Sequence, residues 1–194
     1  MTRTPARGSS RTTSRNTLRT LLAGGDRRSI ARSNRARALL DRDPDQVSDL
    51  AALGTDPDWL VSMRAMDLLE KLAHDNAKQV EPFKELFIGP LADSDKWEIR
   101  LQVVRALPLF TWTRRQRERA IAILTTNLDY PQKFVQAWAL DGLATFSQED
   151  PTLAAVVQRG ISRFERSASK ALQARARKIR ARLARSGRAA GVAR

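Results

Sequence analysis

Val61-Ser62-Met63-Arg64-Ala65-Met66-Asp67-Leu68-Leu69 decides how this chain folds, because its pattern comes back three times. Ile99-Arg100-Leu101-Gln102-Val103-Val104-Arg105-Ala106-Leu107 repeats it, and so does Val135-Gln136-Ala137-Trp138-Ala139-Leu140-Asp141-Gly142-Leu143. A shorter copy stands at Leu172-Gln173-Ala174-Arg175-Ala176. The copies begin at 61, 99, 135 and 172, so successive starts lie 38, 36 and 37 residues apart. Each copy has apolar residues at helical spacing, and a second helical stretch fills each gap. One such helix pair cannot bury its apolar face alone, whereas copies stacked side by side create a core. Aromatic residues precede the copies, Trp59 and Trp97 by two positions and Phe134 by one. At those places an aromatic side chain is expected to pack between neighbouring pairs.

Outward from the repeat, the same 3.6-residue spacing predicts helices near 27–41, 44–53, 57–74, 77–88, 95–110, 114–128, 132–146, 151–165 and 168–186. No clean strand alternation occurs between them, and short Asp, Pro and Gly punctuation separates them. Asp43-Pro44, Asp56-Pro57 and Asp150-Pro151 place a capping Asp before a Pro at the first helical position. Asp95 with Glu98, and Thr113 with Gln116, have the spacing of a capping box. Pro82 and Pro108 fall inside helical stretches, which they are expected to kink or shorten. The chain reads as all-α.

Its 194 residues suffice for one domain with a sizeable core. The formal charge of +14 is concentrated at the ends. Residues 1–42 hold eleven Arg and two acids, residues 159–194 hold twelve Lys or Arg and one acid, and the middle is acidic. This divides the chain into a disordered basic tail over 1–25, a solenoid over 26–186 and a short basic tail over 187–194. With no Cys and His74 as its one His, the sequence lacks the means for disulfides, thiolate metal sites or a Cys nucleophile. His74 ends a helix, where a cation suits the helix dipole. The run Asp41-Arg42-Asp43-Pro44-Asp45 fails as a calcium loop, since Gln46 and Ala52 stand where Gly and Glu are needed. No glycine spacing fits a nucleotide loop, so no cofactor is expected. The N-terminus has no apolar core for a secretory signal, and the run Leu86-Phe87-Ile88 stops at Gly89-Pro90. A cytoplasmic protein without a transmembrane segment is expected.

The β-branched residue, the polar residue and then Ala and Leu at helical spacing, behind an Asp/Trp turn, resemble HEAT repeats over roughly residues 55–185. Gly25-Asp26-Arg27-Arg28-Ser29-Ile30 and Met63-Arg64-Ala65-Met66-Asp67-Leu68-Leu69-Glu70-Lys71 are similar to small bacterial HEAT-repeat proteins without an established activity. The resemblance implies a right-handed α-solenoid of about four helix-pair repeats with a helical cap at 27–53. It also implies a scaffold whose second helices line a concave binding surface.

Three features carry candidate chemistry. Arg114, Arg115, Arg117 and Arg119 crowd the first turns of a helix that Thr113 begins, where cations and unpaired N–H groups together suit an anion. An acidic peptide or a phosphate fits there; a solvated Arg cluster balanced by Glu118 is the plain alternative. In the last helix Leu172, Ala176, Ile179 and Leu183 form an apolar stripe, with Arg175, Lys178, Arg182 and Arg185 on the opposite side. That basic face suits phosphates, an anionic membrane or an acidic partner, and also serves as a polar cap on the solenoid's end. Trp138 and Asp141 lie one turn apart. Alkylpurine DNA glycosylases, a HEAT-like class, use Trp and Asp on a basic concave surface, but no catalytic motif of theirs matches here. The expected function is non-enzymatic: a scaffold for a protein or peptide partner, acidic where the Arg114–Arg119 cluster anchors it. Nucleic-acid binding through the basic ends is the alternative, and a glycosylase-like enzyme the third reading.

Overall fold

A computed structural model describes the backbone of residues 7–192 and the side chains of residues 13–186. Every regular element among the described residues is helical. In chain order they are α1 (Arg7–Leu22), α2 (Ser33–Arg42), α3 (Val47–Leu53), α4 (Trp59–Asp75), α5 (Ala77–Val80), α6 (Glu85–Ile88), α7 (Trp97–Ala106), α8 (Arg114–Asn127), α9 (Lys133–Phe146), α10 (Ala154–Glu165) and α11 (Lys170–Val192). Four short 3₁₀ turns join them, at Pro44–Gln46, Glu81–Phe83, Leu107–Leu109 and Pro151–Leu153. Each turn holds a proline in its first positions. Proline has no N–H to give to the preceding turn. Hence the helix expected over 77–88 is broken into α5, a turn and α6, and α7 tightens at Leu107-Pro108-Leu109.

The chain divides into two compact units, residues 1–94 and 95–194. In the first, α4 packs on α1, α2 and α3. Leu18, Leu22, Leu40, Leu50, Met66 and Leu69 are fully buried there. Residues 7–22 are therefore helix, with Leu18 and Leu22 in the core, where the sequence composition predicts a disordered tail. The apolar residues that hold α1 all lie in its last turn and a half, too few to show as an amphipathic period. Residues 1–6 of that expected tail lie outside the described residues. The loop after α1 is pinned by Arg64, which is 2% exposed. Its guanidinium donates to the carbonyls of Leu22, Gly24, Asp26 and Ser29 at 2.5 to 2.9 Å. Gly24 and Gly25 adopt positive φ of 80° and 70°, which only glycine does at low cost, and this turns the carbonyls toward the guanidinium.

In the second unit α9 is the hub, packed against α7, α8, α10 and α11. Leu107, Leu124, Leu140, Leu143 and Phe164 are its largest fully buried side chains. α7, α9 and α11, which carry the last three repeat copies, stack directly on one another, whereas α8 and α10 make no comparable contact. Within this unit the direct stacking is thus made by the first helix of each pair. α11 runs to Val192, past the expected end at 186, and residues 193–194 lie outside the described residues.

Some helix starts obey local chemistry, whereas Asp43, expected to cap before Pro44, makes no capping hydrogen bond. Thr113 and Gln116 form the full capping box, and Asp150 accepts the N–H of Thr152. At α4 the cap is Asp58, which accepts from Leu60 N–H, while Asp56 accepts from Asp58 N–H and pairs with Arg19 at 2.8 Å. At α7 the capping position is Lys96, which has no side chain able to accept, so the expected Asp95–Glu98 box does not form.

Candidate partner-binding surface

Apart from Lys133 and Gln136, the residues of α9 that reach solvent form one stripe. Val135, Ala137, Ala139, Leu140, Leu143 and Ala144 are buried against the neighbouring helices. Phe134, Trp138, Asp141 and Thr145, spaced four, three and four residues apart, run along the side left over. Phe134 is 56% exposed, one of two large apolar side chains with that much surface among the described residues. The expectation that an aromatic at this position packs between helix pairs fails here. One residue before the copy's start, Phe134 points away from the core that Val135 enters.

Trp138 is half-buried, and a guanidinium from each flanking helix lies against its ring. Arg175 of α11 sits 3.7 Å from the ring centroid and Arg105 of α7 sits 5.0 Å from it. These are cation–π contacts, in which the ring's negative face attracts the cation. Asp141, one turn on, has its carboxylate 3.7 Å from Arg175 and 3.3 Å from Arg182. Arg182 also donates to the Asp141 carbonyl at 3.0 Å. The face expected from the sequence is therefore split. Arg175 and Arg182 lean onto α9 and are half-buried, whereas Lys178 and Arg185 are exposed. Leu172, Ala176 and Ile179 are buried on the other side of α11.

The second arginine cluster lies elsewhere, at the start of α8. The Thr113 hydroxyl accepts the N–H of Gln116, and the Gln116 side chain accepts the N–H of Thr113. Part of the first-turn donor capacity is thereby used. Arg117 points back to the next helix pair. It pairs with Asp150 at 3.1 Å, donates to the Phe146 carbonyl at 3.0 Å and lies over the Phe146 ring. Arg114 is 94% exposed and pairs with Glu118 at 3.2 Å, and Arg115 and Arg119 are exposed or nearly so. Arg117 is thus separated from the three surface arginines.

The remaining aromatic and titratable candidates sit apart from both clusters. The Trp112 indole donates to the Leu107 carbonyl at 2.8 Å and meets Phe110 edge-on. Trp59 and Trp97 are half-buried at the starts of α4 and α7. His74 occupies the last turn of α4, its Nε2 3.4 Å from the carboxylate of buried Glu70. Among the described residues no three His, Asp or Glu gather as metal ligands. No described helix is long and apolar enough to cross a membrane. The Arg105–Trp138–Arg175 contact is not legible in the sequence. The three residues are 33 and 37 positions apart, and only the alignment of the copies carries a hint of it.

No protein-family model matches the chain, and no curated protein matches it. Solved structures do match in shape. An engineered protein from a structural-genomics consortium superposes with a TM-score of 0.59 at 16% identity, covering 90% of this chain and 83% of its own. A designed armadillo repeat protein in complex with the peptide (KR)4 gives 0.58 at 15% identity, over 91% and 76%. Computationally designed armadillo repeat proteins for modular peptide recognition give 0.55 at 16% identity, over 94% and 84%. At such identities the likeness concerns fold alone. With the stacked helix pairs described above, it makes this chain an all-α helical-repeat solenoid of armadillo-like form.

Proposed function

We propose that the protein is a non-enzymatic, cytoplasmic scaffold of HEAT type that holds a segment of a partner protein on the α7–α9–α11 face. One observation carries this reading: at one end of the α9 stripe Phe134 is 56% exposed beside half-buried Trp138. An isolated exposed apolar residue is ordinary, but one continuous with an aromatic–arginine array along stacked helices has the make-up of an interface core. Armadillo-like neighbours designed to recognise peptides support a peptide or protein ligand. The Arg114, Arg115 and Arg119 cluster at the start of α8 is proposed as a secondary acidic-ligand anchor.

A pull-down with the full chain and with Phe134→Ser tests the scaffold. A protein retained by the wild type and lost with the variant is the expected result, and equal retention by both overturns the assignment to this face. Charge favours a second reading, nucleic-acid binding, because residues 95–194 hold 20 basic against 8 acidic residues. Phosphate neutralisation makes log affinity fall steeply with log salt. Failure to bind DNA or RNA at about 50 mM salt removes this alternative. Activity on alkylated DNA that Asp141→Asn abolishes would instead place the protein among the glycosylases.

A further inference from the structure

Arg175 is a half-buried cation without a hydrogen bond among the described residues. Its one ionic contact, to Asp141 at 3.7 Å, is too long for a charge-assisted hydrogen bond, and what holds it is the face of Trp138. Its neighbour Arg182 reaches the same carboxylate at 3.3 Å, and its Nε–H has no acceptor although it is buried. One carboxylate thus faces two guanidiniums, with a third, Arg105, on the same indole. Packing does not require this arrangement, since an apolar side chain against Trp138 would avoid burying positive charge. Exposed Lys178 lies between Arg175 and Arg182 on α11, and no acidic residue stands on that face of α11. The result is a set of cations held in place in advance, with donors left over on Arg175.

We propose that Arg105 and Arg175, ordered by Trp138, together with Arg182 bind the carboxylates of an extended acidic segment of a partner protein. This rests on the scaffold reading above and gives its partner a chemistry. Planar guanidiniums bind carboxylates through two parallel N–H bonds, which Arg175 has free. The two centroid distances bound the separation of the Arg105 and Arg175 guanidinium carbons at 8.7 Å. In an extended chain, side chains two residues apart lie about 6.6 Å apart on one face, so alternate acidic residues can meet both. A peptide is favoured over a nucleic acid because guanidiniums from α7 and α11 already occupy the indole, leaving no platform for a base. A basic peptide like that held by the designed neighbour would meet like charge here.

The test measures binding of labelled Glu-Ser, Gln-Ser and Lys-Ser alternating dodecapeptides and of a thymidine dodecanucleotide to the full chain. The Glu peptide alone is expected to bind, at least tenfold more weakly to Arg105→Gln/Arg175→Gln, with a smaller loss in Arg114→Gln/Arg115→Gln and none in Arg159→Gln, an exposed arginine of α10. Asp141→Asn removes the competing carboxylate and should tighten binding several-fold, a gain that misfolding cannot mimic. Equal binding by Arg105→Gln/Arg175→Gln, loss confined to Arg114→Gln/Arg115→Gln, or no gain in Asp141→Asn overturns the proposal. Displacement of the Glu peptide by the oligonucleotide at lower concentration assigns the face to nucleic acid instead. If the Glu peptide fails while the pull-down keeps its Phe134-dependent partner, the acidic segment is wrong and the scaffold stands. If both fail, both fall.

Discussion

Two arginines at the same place in their repeat copies are used in opposite ways. Arg64 and Arg175 each stand fourth in their copy. Arg64 is buried with its donors spent on four carbonyls of the α1–α2 loop. Arg175 keeps its donors and rests on an indole. Their spatial neighbours make the difference: a glycine-turned loop offers carbonyls to one, and a Trp side chain offers a ring to the other. Removing a buried hydrogen-bonded cation leaves its acceptors unsatisfied, at about 1–3 kcal/mol for each buried group and more where charge is involved. Arg64→Met should therefore destabilise the protein by about 3 kcal/mol in urea unfolding. A loss below about 0.5 kcal/mol, the scatter of ordinary surface changes, would show that the loop finds other donors.

Helix ends and breaks obey local chemistry closely. Four prolines inside or before helical stretches produce 3₁₀ turns, consistent with loss of the N–H. The Thr113–Gln116 box closes because both partners sit within one turn at the start of α8. Thr113→Ala should cost about 1 kcal/mol, read as a lower thermal midpoint, and Thr113→Ser should recover most of it. An unchanged midpoint in the Ala variant would mean that water caps α8 equally well. The same local logic fails at Asp56, where the tertiary partner Arg19 takes the carboxylate and Asp58 becomes the cap.

For the whole molecule, ion pairs between successive helices set the response to acid. Burial pushes the Asp56 carboxyl up, yet hydrogen bonds from Arg19 and from Asp58 N–H outweigh it and hold the group below its ordinary value. The Thr152 hydroxyl, with Arg117, lowers Asp150, and Arg180 lowers Glu165. A carboxyl depressed in the folded state stabilises it above the unfolded pKa of about 4, and that contribution fades as pH falls through the folded value. The melting temperature should thus hold from about pH 7 to 5 and drop between about pH 4 and 2. Asp56→Asn/Asp150→Asn should shrink the drop, and a drop of undiminished size would place the acid-sensitive groups elsewhere.

The amino-acid sequence by itself determined the helices, their breaks and the repeat, because apolar spacing, proline chemistry and caps act within a few residues. It also marked Leu172, Ala176, Ile179 and Leu183 as one apolar stripe, of which the first three are buried and Leu183 is half-buried. It read α1 as part of a disordered tail, because the apolar residues of α1 are confined to its last turns and become core only when α3 and α4 cover them. Tertiary structure alone decided which helices stack on one another, since that depends on how neighbouring pairs pack. It alone drew Arg117 away from its surface cluster to Asp150, and brought Arg105, Trp138 and Arg175 together from three repeats. A cation's role is fixed by the partner it meets, and these partners lie a full repeat away.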